Sequence, residues 1–114
     1  MEQTGSIILV KIGGSTLGAE DTSFQDIVTL QRRGMQPIVV HGGGPAITSW
    51  MAKLGIRSEF VRGLRVTDEP SLEVAVAVLA GLINKQLVSQ LQALGADAVG
   101  ISGADGGLLR GTVV

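Results

Sequence analysis

Ile38-Val39-Val40-His41-Gly42-Gly43-Gly44-Pro45 carries an apolar strand into three glycines and then into a helix opened by proline. Glycines between a strand end and a helix start let backbone N–H groups approach an anion closely, and the helix dipole there favours negative charge. Upstream, Ser6 to Ile12 is a second apolar, β-branched run, closed by Gly13-Gly14, with Lys11 at its carboxyl end; it reads as a strand buried on both faces. Between the two runs a helix is predicted, capped by Asp21 and continuing through Arg33. Phe24, Ile27, Val28 and Leu30 form its apolar stripe, and Gly34 stops it before Pro37 opens the second strand. Strand, helix, strand predicts a right-handed crossover between parallel strands, so both carboxyl ends share one edge of an α/β sheet. Open α/β sheets bind ligands at that edge. Lys11 and the two glycine loops therefore converge on one crevice, whose ligand is an anion, either a phosphoryl group or a carboxylate.

Downstream, Pro45 suits the first turn of a helix bearing Ile47, Trp50, Met51 and Leu54 until Gly55. Glu59 to Val61 and Leu64 to Val66 read as short strands paired around Gly63. A long helix is expected from between Asp68 and Ser71 to Leu94, with Pro70 early and Gly95 after it. Ala75, Ala77, Ala80 and Gly81 make its middle small enough for another helix to come close. Ala98 to Ser102 reads as a third buried strand, Gly103 to Gly107 as a turn, and Leu108 to Val114 as a further strand.

A chain of 114 residues makes one domain at most. Its 45% hydrophobic content and mean hydropathy of +0.40 suit strands covered by helices. The longest unbroken apolar run, Val74 to Ile83, is far short of the roughly 20 residues of a spanning helix, which argues for a soluble domain with no membrane role. Net charge is −1 with scattered basic residues, so there is no footprint for nucleic acid. Without cysteine and with one histidine, thiolate and histidine-rich metal sites are excluded, and no metal ligands are assigned. No secretion signal is visible, which leaves the cytoplasm as the expected compartment.

Phosphoryl transfer asks a protein mainly to position reactants and neutralise charge on the transferring oxygens. Lys11 and the N–H groups of Gly14 and of Gly43 or Gly44 suffice for that. The bland alternative is a solvated lysine beside two tight turns. Arg65, in Gly63-Leu64-Arg65-Val66-Thr67-Asp68, is the natural clamp for a carboxylate because its planar fork holds two oxygens, against a surface ion pair to Asp68 or Glu69. His41 is read as structural, with one ring nitrogen satisfied by backbone, Asp105 as a turn former, and Trp50 as core. No Walker-type phosphate loop or Rossmann glycine spacing is present.

Four stretches together resemble the N-terminal half of the acetylglutamate kinase branch of the amino-acid kinase family. They are Val10-Lys11-Ile12-Gly13-Gly14, Val40 to Pro45, Gly63 to Asp68, and Val99 to Gly107; Asn84-Lys85 also fits. The resemblance implies an open αβα sandwich with a mainly parallel central sheet. It implies phosphorylation of the side-chain carboxylate of N-acetyl-L-glutamate by MgATP, on the way to arginine. Carried over, Lys11 stabilises the transferring phosphoryl group with the Gly14 and Gly43 N–H donors beside it, Gly43 and Gly44 line the substrate site, and Arg65 binds the α-carboxylate. A homodimer through the long helix near residues 70–94 is implied as well. An arginine-inhibited hexamer is not expected, since the extra N-terminal helix of such members has no room before Ser6.

The family's nucleotide half lies beyond Val114. Residues 1–114 are therefore expected to be the acylamino-acid-binding and dimerisation portion of a longer protein, inactive alone and prone to associate through open sheet edges. The rivals are a carrier-protein-linked aminoadipate or glutamate kinase and a non-catalytic binding or dimerisation module.

Overall fold

A computed structural model of the chain describes residues 5–13 and 22–113. β1 (Ile7–Ile12) and β2 (Gln36–His41) pair in parallel, in a register running from Ile7↔Gln36 to Ile12↔His41. They are joined through α1 (Ser23–Arg32), as the strand, helix, strand pattern predicts. Asp21, the expected cap, lies outside the described residues. At the other end of α1, Gly34 takes φ 85°, a left-handed conformation that costs glycine little, and the Met35 N–H returns to the Leu30 carbonyl at 3.1 Å.

α2 (Gly44–Lys53) follows the glycine loop and closes on Gly55 at φ 73°, with the Ile56 N–H bonded to the Met51 carbonyl. β3 (Phe60–Val61) and β4 (Leu64–Arg65) form an antiparallel hairpin. Arg62 and Gly63 both have positive φ at its tip, which matches the twist of a tight hairpin. A further bond, Val66 N–H to Glu59 carbonyl at 2.8 Å, extends the pairing to the predicted limits.

The long helix runs without a break from Glu69 to Ala93, but not as one α-helix. α3 (Glu69–Val76) passes into a π-helical segment, Ala77–Ile83, and then into α4 (Asn84–Ala93). The widened turn leaves no signature in the apolar spacing. By length and composition this helix is able to cross a membrane. In the fold it is instead the spine of two cores. Val74 and Val78 pack with Ile47 and Met51 of α2, and Leu91 packs with Ile12, Ile27 and Val28 between the sheet and α1.

Asp68 caps α3 by accepting the Ser71 N–H at 2.9 Å, and the Ser71 side chain first, then that N–H, hold its carboxyl below the ordinary 3.8. Asp105 is lowered in the same way by the Ser102 N–H and hydroxyl, with Lys85 adding a smaller attraction. Both folded values lie below the unfolded ones, so this stability is complete above about pH 4 and is lost as pH falls through the folded values. Urea midpoints are expected to decline below about pH 4 and stay level just above it. Asp68→Asn keeps a cap acceptor but cannot protonate, so it flattens part of the decline; an unaltered acid limb in that variant would rule the cap out as its cause.

Three expectations are corrected. β1 is not buried on both faces: Ile7 and Leu9 are 65% and 68% exposed, because helices cover only the face bearing Val10, Ile12 and Val39. Ala98 to Ser102 forms no strand and pairs with none among the described residues, and Val99 is 88% exposed. Its carbonyls are taken up by side chains instead: Gln92 bonds to Ala98, Lys85 to Gly100 and Asn84 to Ile101, while Gln31 grips Asp97 through both N–H and C=O. Leu108 onward forms no strand within the described residues, since no neighbouring strand offers it a ladder.

Candidate active site at the glycine loop

Parallel register sets Ile12 opposite His41, so the chain leaves both strands side by side at the carboxyl edge of the sheet. Lys11 stands one residue back, exposed, on the face shared with Leu9 and Val40. Gly13 opens the first loop; Gly14 lies outside the described residues.

The three glycines of the second loop have different reasons to be glycine. A Cβ on Gly43 would collide with the side-chain ends of Ile83 and Leu79, the latter 2.7 Å away. The loop therefore lies so close to the π segment that any side chain here displaces those ends. Gly42 and Gly44 have nothing within 4 Å of an added Cβ, so packing does not require glycine there. What bare backbone gives at those positions is access. Gly44 begins α2, and the first helical bond is Ile47 N–H to Gly43 carbonyl at 3.0 Å. Pro45 has no N–H, and Gly43 supplies no side-chain cap. The N–H groups of Gly44 and Ala46 thus have no partner among the described residues, at the positive end of the helix dipole.

Arg65 closes the far side. Its Nη2 donates to the Gly44 carbonyl at 3.2 Å and to Thr48 Oγ1 at 2.9 Å. Its Nη1 donates to Ser58 Oγ at 3.2 Å and to the Met51 sulfur at 3.5 Å, and the guanidinium lies 4.6 Å from the Phe60 ring centre. The hairpin turn delivers Arg65 to α2, and Met51, 0% exposed, forms the floor. Among the described residues no carboxylate pairs with it; Asp68 is engaged at the α3 cap. A half-buried cation held by neutral acceptors beside an uncapped helix N-terminus has the chemistry to take an anion.

His41 has a structural place, as its sequence context suggests: Nδ1 meets the Gly42 carbonyl at 3.0 Å and Nε2 meets Asn84 Nδ2 at 3.1 Å. Asp105 is the predicted turn former, and the described residues hold no cluster of three acidic, histidine or cysteine side chains. Trp50 is not core; it is 38% exposed, with the Lys53 ammonium 4.6 Å from its ring centre. The apolar spacing of α2 continued past the width of the buried face. Thr48 and Ser58 are not marked by the sequence, because single polar residues among apolar ones carry no spacing signal; Asn84 enters only through the family resemblance, with no role assigned.

Substituting Gly43 and Gly44 separately distinguishes packing from access. Gly43→Ala is expected to lower stability by about 1–3 kcal/mol, since the Ile83 and Leu79 side-chain ends must repack. Gly44→Ala is expected to leave the urea midpoint nearly unchanged while weakening anion binding. Equal stability losses in the two variants would contradict this division.

The model of the amino acid kinase family matches residues 6–113. An acetylglutamate kinase of Dehalococcoides mccartyi is 47% identical over 105 residues, which is 92% of this chain and 39% of that protein. One from Synechococcus is 51% identical over 93% of this chain and 38% of its own length. The chain thus spans about two fifths of the curated relatives it matches. Among solved structures, smu.665 from Streptococcus mutans superposes with a TM-score of 0.70 at 32% identity, over 78% of this chain and 37% of that one. An N-acetylglutamate synthase from Neisseria gonorrhoeae, solved with coenzyme A and L-arginine, gives 0.56 at 25% identity, over 87% and 24%.

Proposed function

Because the chain belongs to the amino acid kinase family, we propose that it forms the acylamino-acid side of a site that phosphorylates the side-chain carboxylate of N-acetyl-L-glutamate with MgATP. The observation that carries this reading is the Arg65 guanidinium, which meets no carboxylate among the described residues and is fastened to the first turn of α2 beside the Gly44 and Ala46 N–H groups. In it, Arg65 takes the α-carboxylate, and Gly43 and Gly44 line the acyl amino acid. Lys11, with the Gly14 and Gly43 N–H groups, faces the phosphoryl group as charge develops on its oxygens. The magnesium ion travels with ATP, and the parts that hold the nucleotide are supplied from outside these 114 residues. This portion alone binds the substrate without turning it over.

A homodimer through the long helix belongs to the same reading. Leu72 and Val76 are 52% and 56% exposed, and Ala77 and Gly81 are exposed beside them, leaving an apolar stripe on the side away from α2. The protein works in the cytoplasm in this account, with no nucleic acid or membrane partner.

Calorimetric titration of the chain with N-acetyl-L-glutamate and with N-acetyl-aminoadipate tests the substrate assignment. Saturable binding that favours acetylglutamate is expected. Preference for the longer acid transfers the reading to the aminoadipate-type kinases, and no binding of either leaves a dimerisation module. Acyl phosphate formed from ATP by this chain alone, trapped as a hydroxamate, would refute the division of labour.

A further inference from the structure

His41 is the sole histidine of the chain, and both its ring nitrogens are engaged. The Gly42 carbonyl can only accept, so Nδ1 carries the proton. Asn84 Nδ2 can only donate, so Nε2 is bare. The amide orientation of Asn84 is itself determined by its other partners. Its Oδ1 accepts from the Lys85 ammonium at 2.9 Å, and its Nδ2 also reaches the Ile101 carbonyl at 3.5 Å. A flipped amide would set donor against ammonium and oxygen against carbonyl. Lys85 is tied in turn to the Gly100 carbonyl at 3.1 Å. Asn84 is 9% exposed, buried where the π segment gives way to α4.

The Gly42 carbonyl and the Gly43 N–H belong to one peptide group, and the described residues contain no cis peptide. In a trans peptide these two groups point in opposite directions. Holding the Gly42 oxygen on the imidazole therefore sets the direction of the Gly43 N–H. We propose that Asn84 is a positioning residue for the glycine loop: its amide fixes the His41 tautomer, and the Nδ1–H of His41 then aims the Gly43 N–H into the site. Asn84 touches no reacting atom; it acts through His41. The proposal rests on the reading of the loop as a substrate cradle, and it can be read without substrate.

Imidazole ¹⁵N NMR of the ligand-free chain reports one ring, at about pH 8.5, roughly two units above the ordinary imidazole value. Nδ1 is expected to be protonated and Nε2 bare. Asn84→Asp replaces the donor by an acceptor, so the tautomer is expected to reverse and the Gly43 amide resonance to move with it. Asn84→Leu removes the donor altogether, and the Nδ1–H form is expected to lose its dominance. In binding, Asn84→Leu is expected to weaken N-acetyl-L-glutamate about tenfold, the effect of losing one oriented hydrogen bond. Gln90→Leu, an exposed position of α4, is the control and is expected to change nothing.

An Nε2–H tautomer in the unsubstituted chain overturns the proposal whether or not either variant folds. So does a reversed tautomer that leaves the Gly43 amide in place. If the NMR predictions hold and acetylglutamate does not bind, the Asn84 linkage stands and the substrate assignment fails.

Discussion

Replacing Arg65 by alanine is expected to weaken N-acetyl-L-glutamate binding about a hundredfold, because the substrate carboxylate loses its guanidinium partner and remains only partly solvated. Truncating one member of a desolvated charged pair costs roughly 2–5 kcal/mol, and about 2.7 kcal/mol is a hundredfold. Arg65→Lys keeps the charge but not the geometry. One ammonium has three N–H groups, which Thr48, Ser58 and the Gly44 carbonyl would already use up, and it lacks the planar guanidinium that reaches all of them at once. It is expected to recover only a minor part of the loss. Since Arg65 also ties the β3–β4 hairpin to α2, some stability is lost in both variants. Calorimetry below the thermal transition keeps that loss separate from affinity. Unchanged affinity in Arg65→Ala would show that the carboxylate is held elsewhere.

The second large effect is on stability. Met51 is 0% exposed and packs with Ile47, Val74 and Val78. Met51→Ala leaves a cavity there and is expected to cost about 3 kcal/mol, within the usual range of roughly 2–5 for such truncations. For a domain of this size that lowers the melting temperature by more than about 10 °C. The lost sulfur also leaves the Arg65 Nη1 and the Ser58 hydroxyl short of an acceptor. Met51→Leu fills the volume without the sulfur and is expected to restore most of the stability. A urea midpoint for Met51→Ala within experimental error of the parent would mean that α2 is not held by this core.

Much of this arrangement is legible in the sequence because it rests on punctuation that only a few residue types can supply. Gly34, Gly55 and Gly95 all take positive φ at helix ends, Pro45 opens α2, and Gly63 turns the hairpin. Lys11, Gly43, Gly44 and Arg65 belong to elements placed in that way. What spacing cannot carry is cover. β1 and Ala98 to Ser102 have the composition of buried strands, but burial needs a neighbour, and composition does not say whether one is present. Asn84 is marked by the resemblance, but its contacts are not legible, for a different reason. It stands where the π segment gives way to α4, and an apolar run of Ala, Val, Leu, Gly and Ile fits an α-helix equally well, so the sequence does not show that break.

That segment also marks where the chain should come apart. The helix from Glu69 to Ala93 belongs to one core at its start and to another near its end, with the widened turn between them. Slow amide exchange should therefore fall into two cooperative blocks. One contains α2 and α3, the other β1, β2, α1 and α4, with a boundary inside Ala77–Ile83. Under mild destabilisation the glycine loop would open with the first block while the two parallel strands stay paired.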